Sequence, residues 1–320
     1  MTALSWLGRR DVSRDDRQRR RRSGQRTGRQ NLWGYVFLAP WFAGLFLLTL
    51  GPMLGSLYVS FTEYPLLSAP EWSGTENYQR LLDDPRYLKS LVVTFGYVFL
   101  SVPLELCFAL FVAMILNRGL RGLSFYRTVY YLPSLLGGSV AVAILWREIF
   151  GDAGVVNRIL AVVGVDGPSW VGSPDYSLYT LVVLRTWQFG APMVIFLAGL
   201  RQIPRELYDA AAVDGAGRIQ TFFRITLPLL TPIVFFNLIL QVIGAFQAFT
   251  PAYIISKGSG GPSDSTLFYT LYLYVEAFHH FRMGYAAAMA WVLVLIIGAF
   301  TAANFALGRY WVHYADDERG

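Results

Sequence analysis

The chain has 320 residues, of which 54 % are hydrophobic and 15 % charged, with a mean hydropathy of +0.41. Soluble domains average about 45–50 % apolar and about 25 % charged, so these proportions exclude a soluble globular protein and predict an integral membrane protein. The formal charge of +6 is uneven: residues 1–31 hold ten arginines and three aspartates, a balance of +7, which leaves −1 for everything after them. The basic character therefore belongs to a tail and excludes a fold-wide nucleic-acid surface.

Residues 1–31 read as a disordered basic tail that fixes topology and touches anionic lipid. No aromatic or RNA-binding motif interrupts the arginines within residues 7–31, so no nucleic-acid partner is expected. Six stretches then reach the ~20 mainly apolar residues that a spanning helix needs: roughly 33–61, 91–116, 128–146, 178–200, 227–255 and 284–307. Their apolar residues are continuous rather than alternating, which predicts an all-α bundle and excludes a barrel. The first stretch is too long for a secretory signal and has no A-x-A site at its end, so it stays in the membrane. Cys107 is the single cysteine, which excludes an intrachain disulfide and a cysteine-based zinc site.

Orientation follows from lysine and arginine. One side collects the tail, Arg118, Arg121, Arg127, Arg201, Arg205, Arg218, Arg224, Arg309 and Arg319, nineteen in all. The other side has seven and eleven acids, so both termini are expected in the cytoplasm.

No G-x-x-x-x-G-K-[ST] phosphate loop exists. Gly137-Gly138-Ser139-Val140-Ala141 only resembles a nucleophile elbow, ends in alanine and lies mid-span, where small residues more simply allow close helix packing. His279 and His280 are adjacent and point about 100° apart on a helix, which suits no shared metal. Catalysis is therefore not expected. Glu105 and Arg185 lie within spans, where charges are costly and face protein or water; they suit a proton relay or a packing feature.

The fifth stretch carries Asn237, Gln241, Gly244 and Ala248 at helical spacings of four, three and four, a polar and small-residue stripe. Gln247 and Tyr253 follow on the same stretch, and Trp187 with Gln188 sits mid-way along the fourth. Amides beside aromatic rings are a usual mix in small-molecule sites. These six residues, Asn237, Gln241, Gln247, Tyr253, Trp187 and Gln188, are the candidate substrate path, with helix-to-helix packing as the competing reading of the stripe.

The segment between the fourth and fifth stretches, 201–228, is the most specific. Pro204 suits a helix start, Glu206 the first turn, Ala210-Ala211-Ala212 a helix with little bulk, and Gly215 a left-handed stop. A second amphipathic segment from Arg218 is expected to stop at Pro228. Such a surface helix has no domain of its own to bury against and must dock onto another protein.

The run from Glu206 to Pro228, with Asp209-Ala210-Ala211, Asp214-Gly215-Ala216, Phe222, Ile225 and Leu227-Pro228, resembles the EAA loop of ATP-binding-cassette import permeases. Gly260-Gly261-Pro262 and Gly284-Tyr285-Ala286-Ala287 are similar to the carbohydrate-uptake branch, the maltose and glycerol-phosphate type. The resemblance covers residues 32–310, taken as one permease domain between the tail and a short C-terminal tail at 311–320. It implies one pore half in a bacterial inner membrane, a second permease subunit, a pair of ATPases and an extracytoplasmic binding protein that delivers a carbohydrate. Coupling to the ATPases would fall on Glu206, Asp209, Ala210, Ala211, Asp214 and Gly215. The chain itself would hold no cofactor, ATP and magnesium being bound by the ATPases. A proton-coupled secondary transporter and a membrane enzyme are the alternatives.

Overall fold

The computed structural model describes residues 35–119 and 122–312. The chain divides into two compact units, Met1–Tyr58 and Val59–Gly320. The expected N-terminal tail lies outside the described residues, as does most of the C-terminal one. The described part of the first unit is helical: it is most of α1 (Tyr35–Ser60), with a π-helical turn at Leu45–Leu50. Val59 and Ser60, the last residues of α1, fall in the second unit.

The second unit contains α2 (Glu76–Asp83), α3 (Pro85–Leu116), α4 (Leu123–Leu136), α5 (Val140–Ile149), α6 (Val155–Val162), α7 (Ser177–Trp187) and α8 (Gly190–Leu200). It continues with α9 (Arg205–Val213), α10 (Leu227–Phe246), α11 (Thr250–Ser256), α12 (Tyr269–Tyr274) and α13 (Met283–Trp311). A two-residue antiparallel ladder joins β1 (Thr62–Glu63) to β2 (Glu71–Trp72), with Thr62 opposite Trp72. The fold is an all-α membrane bundle. Among the described residues, four helical runs are long and apolar enough to cross a membrane: α1, α3, Arg218–Ser256 and α13. The count is six if the bent pairs α4 with α5 and α7 with α8 are each one span.

Those bends differ from the two continuous spans expected from hydropathy. The chain turns by 97° between α4 and α5 and by 43° between α7 and α8. A break in lipid frees backbone groups that need partners, and here the two breaks supply each other. The Gln188 side-chain amide donates to the Gly137 carbonyl at 3.2 Å. Ser134 Oγ donates to the Gln188 carbonyl at 2.6 Å and accepts from the Ala191 N–H at 2.9 Å. Gly190 permits the close approach, since a Cβ there would overlap the backbone of Tyr130.

The central element is α3. Asp84 caps its first turn, accepting from the N–H groups of Arg86 and Tyr87 at 2.9 and 3.3 Å, and Pro85 follows where its missing N–H costs nothing. Tyr97, Val102, Leu106, Ala109 and Ala113 lie on its buried face, packed against α7, α8, α10 and α12. Phe95 contacts Phe246 and Phe300 with ring centroids at 5.3 and 5.7 Å, joining α3 to α10 and α13. The Asp84 carboxylate also accepts from the hydroxyls of Tyr272 at 2.5 Å and Tyr285 at 2.7 Å, pinning the starts of α12 and α13 to that of α3. Burial pushes the Asp84 carboxyl up, but the two tyrosine hydroxyls and the two backbone N–H groups outweigh it and hold the group below its ordinary value.

Candidate functional site

The 201–228 segment folds as a short surface helix, with Pro204 just before the first turn of α9 and Glu206 in it. The helix closes at Gly215, whose φ of +75° is the left-handed stop expected there. The Ala216 N–H reaches back to the Ala211 carbonyl at 2.9 Å and the Gly215 N–H to that of Ala212 at 3.2 Å, satisfying the last carbonyls. Ala211 is the residue that α9 buries, while Glu206, Asp209, Ala210 and Asp214 are exposed. None of the three acids has an ion-pair partner among the described residues. Tyr208 ties the helix down, its hydroxyl 3.1 Å from Thr226 Oγ1.

The expected stop at Pro228 is not there. One turn at Arg218–Thr221 passes through a π-helical turn at Phe222–Thr226 directly into α10, with Pro228 in the first turn of α10. The missing proline N–H lies where the wider turn has already shifted the hydrogen-bond register. The helix that starts at Arg218 and the fifth span are therefore one continuous piece, and the turn at Gly215 separates it from α9.

The six path residues separate into distinct environments. Asn237 is fully buried, donates to the Ile233 carbonyl at 3.2 Å and leaves its Oδ1 without a partner. Gln241 accepts from Arg185 Nη2 at 2.5 Å through its side chain and at 3.3 Å through its backbone. Arg185 Nε in turn donates to Glu105 Oε2 at 2.7 Å, with the Glu105 side chain 3 % exposed and that of Arg185 15 %. Three spans, α3, α7 and α10, thus meet at one charge pair and one amide. Gly244 lies beside the guanidinium, where a Cβ would make an ordinary contact 3.4 Å from Nη2. Gln247 is exposed just past the end of α10, and Tyr253 stacks on Phe249 at 5.4 Å. Gln188 caps the break at Gly137 as described.

Trp187 is different. It is 37 % exposed and borders a cavity of about 820 Å³ walled by Phe108, Phe111, Tyr126, Tyr130 and Trp146. Rings continue from it in contact: Trp187 to Trp146 at 5.8 Å, Trp146 to Phe150 at 4.9 Å, Phe150 to Trp170 at 6.5 Å and Trp170 to Tyr176 at 5.6 Å. The indole N–H groups of Trp146 and Trp170 are already bonded, to the Thr180 carbonyl and to Asn157 Oδ1. Sequence reading missed this row. Trp146 and Phe150 are four apart on one helix face and could have been noticed, whereas Trp170 and Tyr176 lie in an irregular segment with no period.

His279 and His280 belong to no group of three or more His, Cys, Asp or Glu side chains that could hold a metal among the described residues. His280 Nδ1 instead lies 2.9 Å from buried Glu276, whose other oxygen accepts from Arg282 at 3.1 Å.

Known proteins bear on these features. The family model described as "Binding-protein-dependent transport system inner membrane component" matches residues 82–310. The chain is 54 % identical to a probable ABC transporter permease protein, YesP, of Bacillus subtilis over 91 % of its own length and 94 % of the relative's. It is 33 % identical to the lactose transport system permease protein LacF of Rhizobium radiobacter, over 86 % and 94 %. Its fold matches a chain of a bacterial alginate ABC transporter, solved in complex with an alginate pentasaccharide-bound periplasmic protein, with a TM-score of 0.75 at 19 % identity over 88 % and 96 %.

Proposed function

The chain belongs to the family of inner membrane components of binding-protein-dependent transport systems, and from that premise we propose that it forms half of the translocation pore of an ATP-driven importer of a sugar or oligosaccharide. The observation that carries this is α9: a surface helix closed at Gly215, with three exposed acids that have no ion-pair partner among the described residues, followed by a helix from Arg218 that runs without a break into a membrane span. A docked ATPase pushing on α9 would move α10, and with it the Gln241–Arg185–Glu105 junction to α7 and α3, which is a lever for rocking the spans. Glu206, Asp209, Ala210, Asp214 and Gly215 form the docking surface, while Ala211, expected with them, is buried and seats α9 against the rest of the chain. ATP and magnesium belong to the partner ATPases, since the chain has no phosphate loop of its own; a second permease completes the pore and an extracytoplasmic protein delivers the cargo.

Carbohydrate is the cargo class because the relatives include lactose and arabinooligosaccharide permeases, and because exposed ring faces beside Trp187 suit the apolar faces of sugar rings. The arginine distribution supports an orientation with α9 and both termini in the cytoplasm of a bacterial inner membrane, and residues 32–310 are taken as the pore domain between two tails. Proton coupling through Glu105 is disfavoured by its charge pair with Arg185.

The test is reconstitution with partner permease, ATPases and binding protein in proteoliposomes. Oligosaccharide uptake is expected to need ATP and to survive collapse of the proton gradient; the reverse overturns the proposal. Gln241→Leu is expected to lower uptake without lowering the amount of assembled complex. Unchanged uptake, or failed assembly, removes Gln241 from the path.

A further inference from the structure

A cavity of about 560 Å³ separates the end of α3 from the 201–228 segment. Its polar lining includes Asn117, Arg118, Arg218 and Thr221, and its apolar lining includes Met114 and Leu200. Arg118 lies just past the Asn117 cap of α3, and Arg218, a hundred residues later in sequence, begins the helix after α9. No carboxylate lines the space, and neither arginine has an ion-pair partner among the described residues. The general excess of arginine at this end accounts for basic residues scattered over its loops. It does not account for two of them bordering one cavity from which acids are excluded. Like charges sharing a concave, partly apolar space raise its attraction for an anion, and guanidinium forks match phosphate oxygens in pairs. Arginines and apolar side chains lining one space suit a phospholipid at the point where headgroup meets chain.

We propose that this cavity binds a phosphate-bearing anion, a lipid headgroup or free phosphate, through Arg118 and Arg218, and that the bound anion braces α9 against the end of α3. Tyr208 and Ala212 of α9 line the same space, so an occupant touches the docking helix and the span together. Occupancy then resists any motion of α9 that is not shared by α3.

The test uses the assembled importer and does not depend on which cargo is carried. The complex is placed in phosphatidylcholine nanodiscs with and without phosphatidylglycerol, and in detergent with and without inorganic phosphate, and amide exchange is followed over residues 205–217. Protection by phosphatidylglycerol alone identifies lipid as the source, and protection by phosphate identifies the free ion; either supports the site. Arg118→Gln with Arg218→Gln is expected to weaken the protecting interaction about thirtyfold, since each arginine at an anionic surface contributes about a fivefold factor. Arg201→Gln with Arg224→Gln removes the same charge from the same end, from two arginines that do not line the cavity, and is expected to leave protection unchanged. Absence of protection by either anion overturns the proposal. So does equal loss in the two double variants, or protection that follows only the presence of the ATPases.

Discussion

Replacing Glu105 by leucine tests the junction of three spans. Glu105 lies 2.7 Å from Arg185 Nε and both side chains are largely buried, so the variant strands a guanidinium whose remaining bonds are to Gln241. Neutral hydrogen bonds between membrane helices average about 0.6 kcal/mol, which alone would make the change small. An unpaired arginine at mid-membrane costs about 2.5–3.5 kcal/mol, and removing one partner of a buried pair costs about 3–5 kcal/mol in soluble proteins. The stranded charge therefore dominates, and Glu105→Leu should destabilise the chain by about 3 kcal/mol. Adding Arg185→Met removes the stranded charge as well, and the double variant should return to within about 1 kcal/mol of the original, because well-packed apolar replacement of a buried pair is often neutral. The measurement is reversible unfolding in mixed micelles by sodium dodecyl sulfate, followed by circular dichroism, for the four proteins of the double-mutant cycle. A double variant as unstable as the sum of the singles would refute the reasoning, because the charge pair would then contribute nothing as a pair.

Gly215→Val places a β-branched residue at a φ of +75°, a strain of about 1–2 kcal/mol at the stop of α9. Uptake per assembled complex should fall while ATP hydrolysis persists, whereas Gly215→Asn should transport; normal uptake in the valine variant would count against α9 as the docking helix. With Cys107 replaced by alanine, a cysteine at Ser263, which is exposed, should react with an impermeant thiol reagent applied to intact cells. One at Gly217 should react only after permeabilisation, and the opposite pattern would reverse the orientation. Asp84 has its carboxyl held below its ordinary value of 3.8, so its stabilising contribution is complete above that pH and is lost as pH falls through the lower folded value. Asp84→Asn should therefore lower the melting temperature at neutral pH and flatten the acid limb of the melting-temperature profile; an unchanged acid limb would show that Asp84 does not contribute to it.

What the sequence reveals and what it hides divides along the distance between partners. The apolar stretches and the pieces of α9 (Pro204, the alanine triplet, Gly215) are local signals set by hydropathy and backbone preference, and the folded chain follows them. Glu105, Arg185 and Gln241 were each recognisable as costly polar groups in spans, but they are 80 and 56 residues apart, and no periodicity reports a pairing across helices. Gly137-Gly138-Ser139 announced small side chains, but hydropathy is blind to direction and reads a 97° bend as an unbroken span. Pro228 was expected to end a helix because proline removes one N–H; at the first turn of α10, after a π-helical turn, that loss is absorbed.

The paired breaks at Gly137 and Gln188 bear on how the chain enters the membrane as it is made. Once α4 and α5 have left the ribosome, the Gly137 carbonyl has no partner until Gln188 arrives some fifty residues later, and the Gln188 carbonyl in turn needs Ser134. Neither bent span can settle in lipid alone without stranding backbone polar groups. The third and fourth spans are thus obliged to leave the insertion machinery as a hairpin. A nascent chain stalled between α5 and α7 is expected to stay in contact with that machinery, and to move into lipid only when Gln188 has been added.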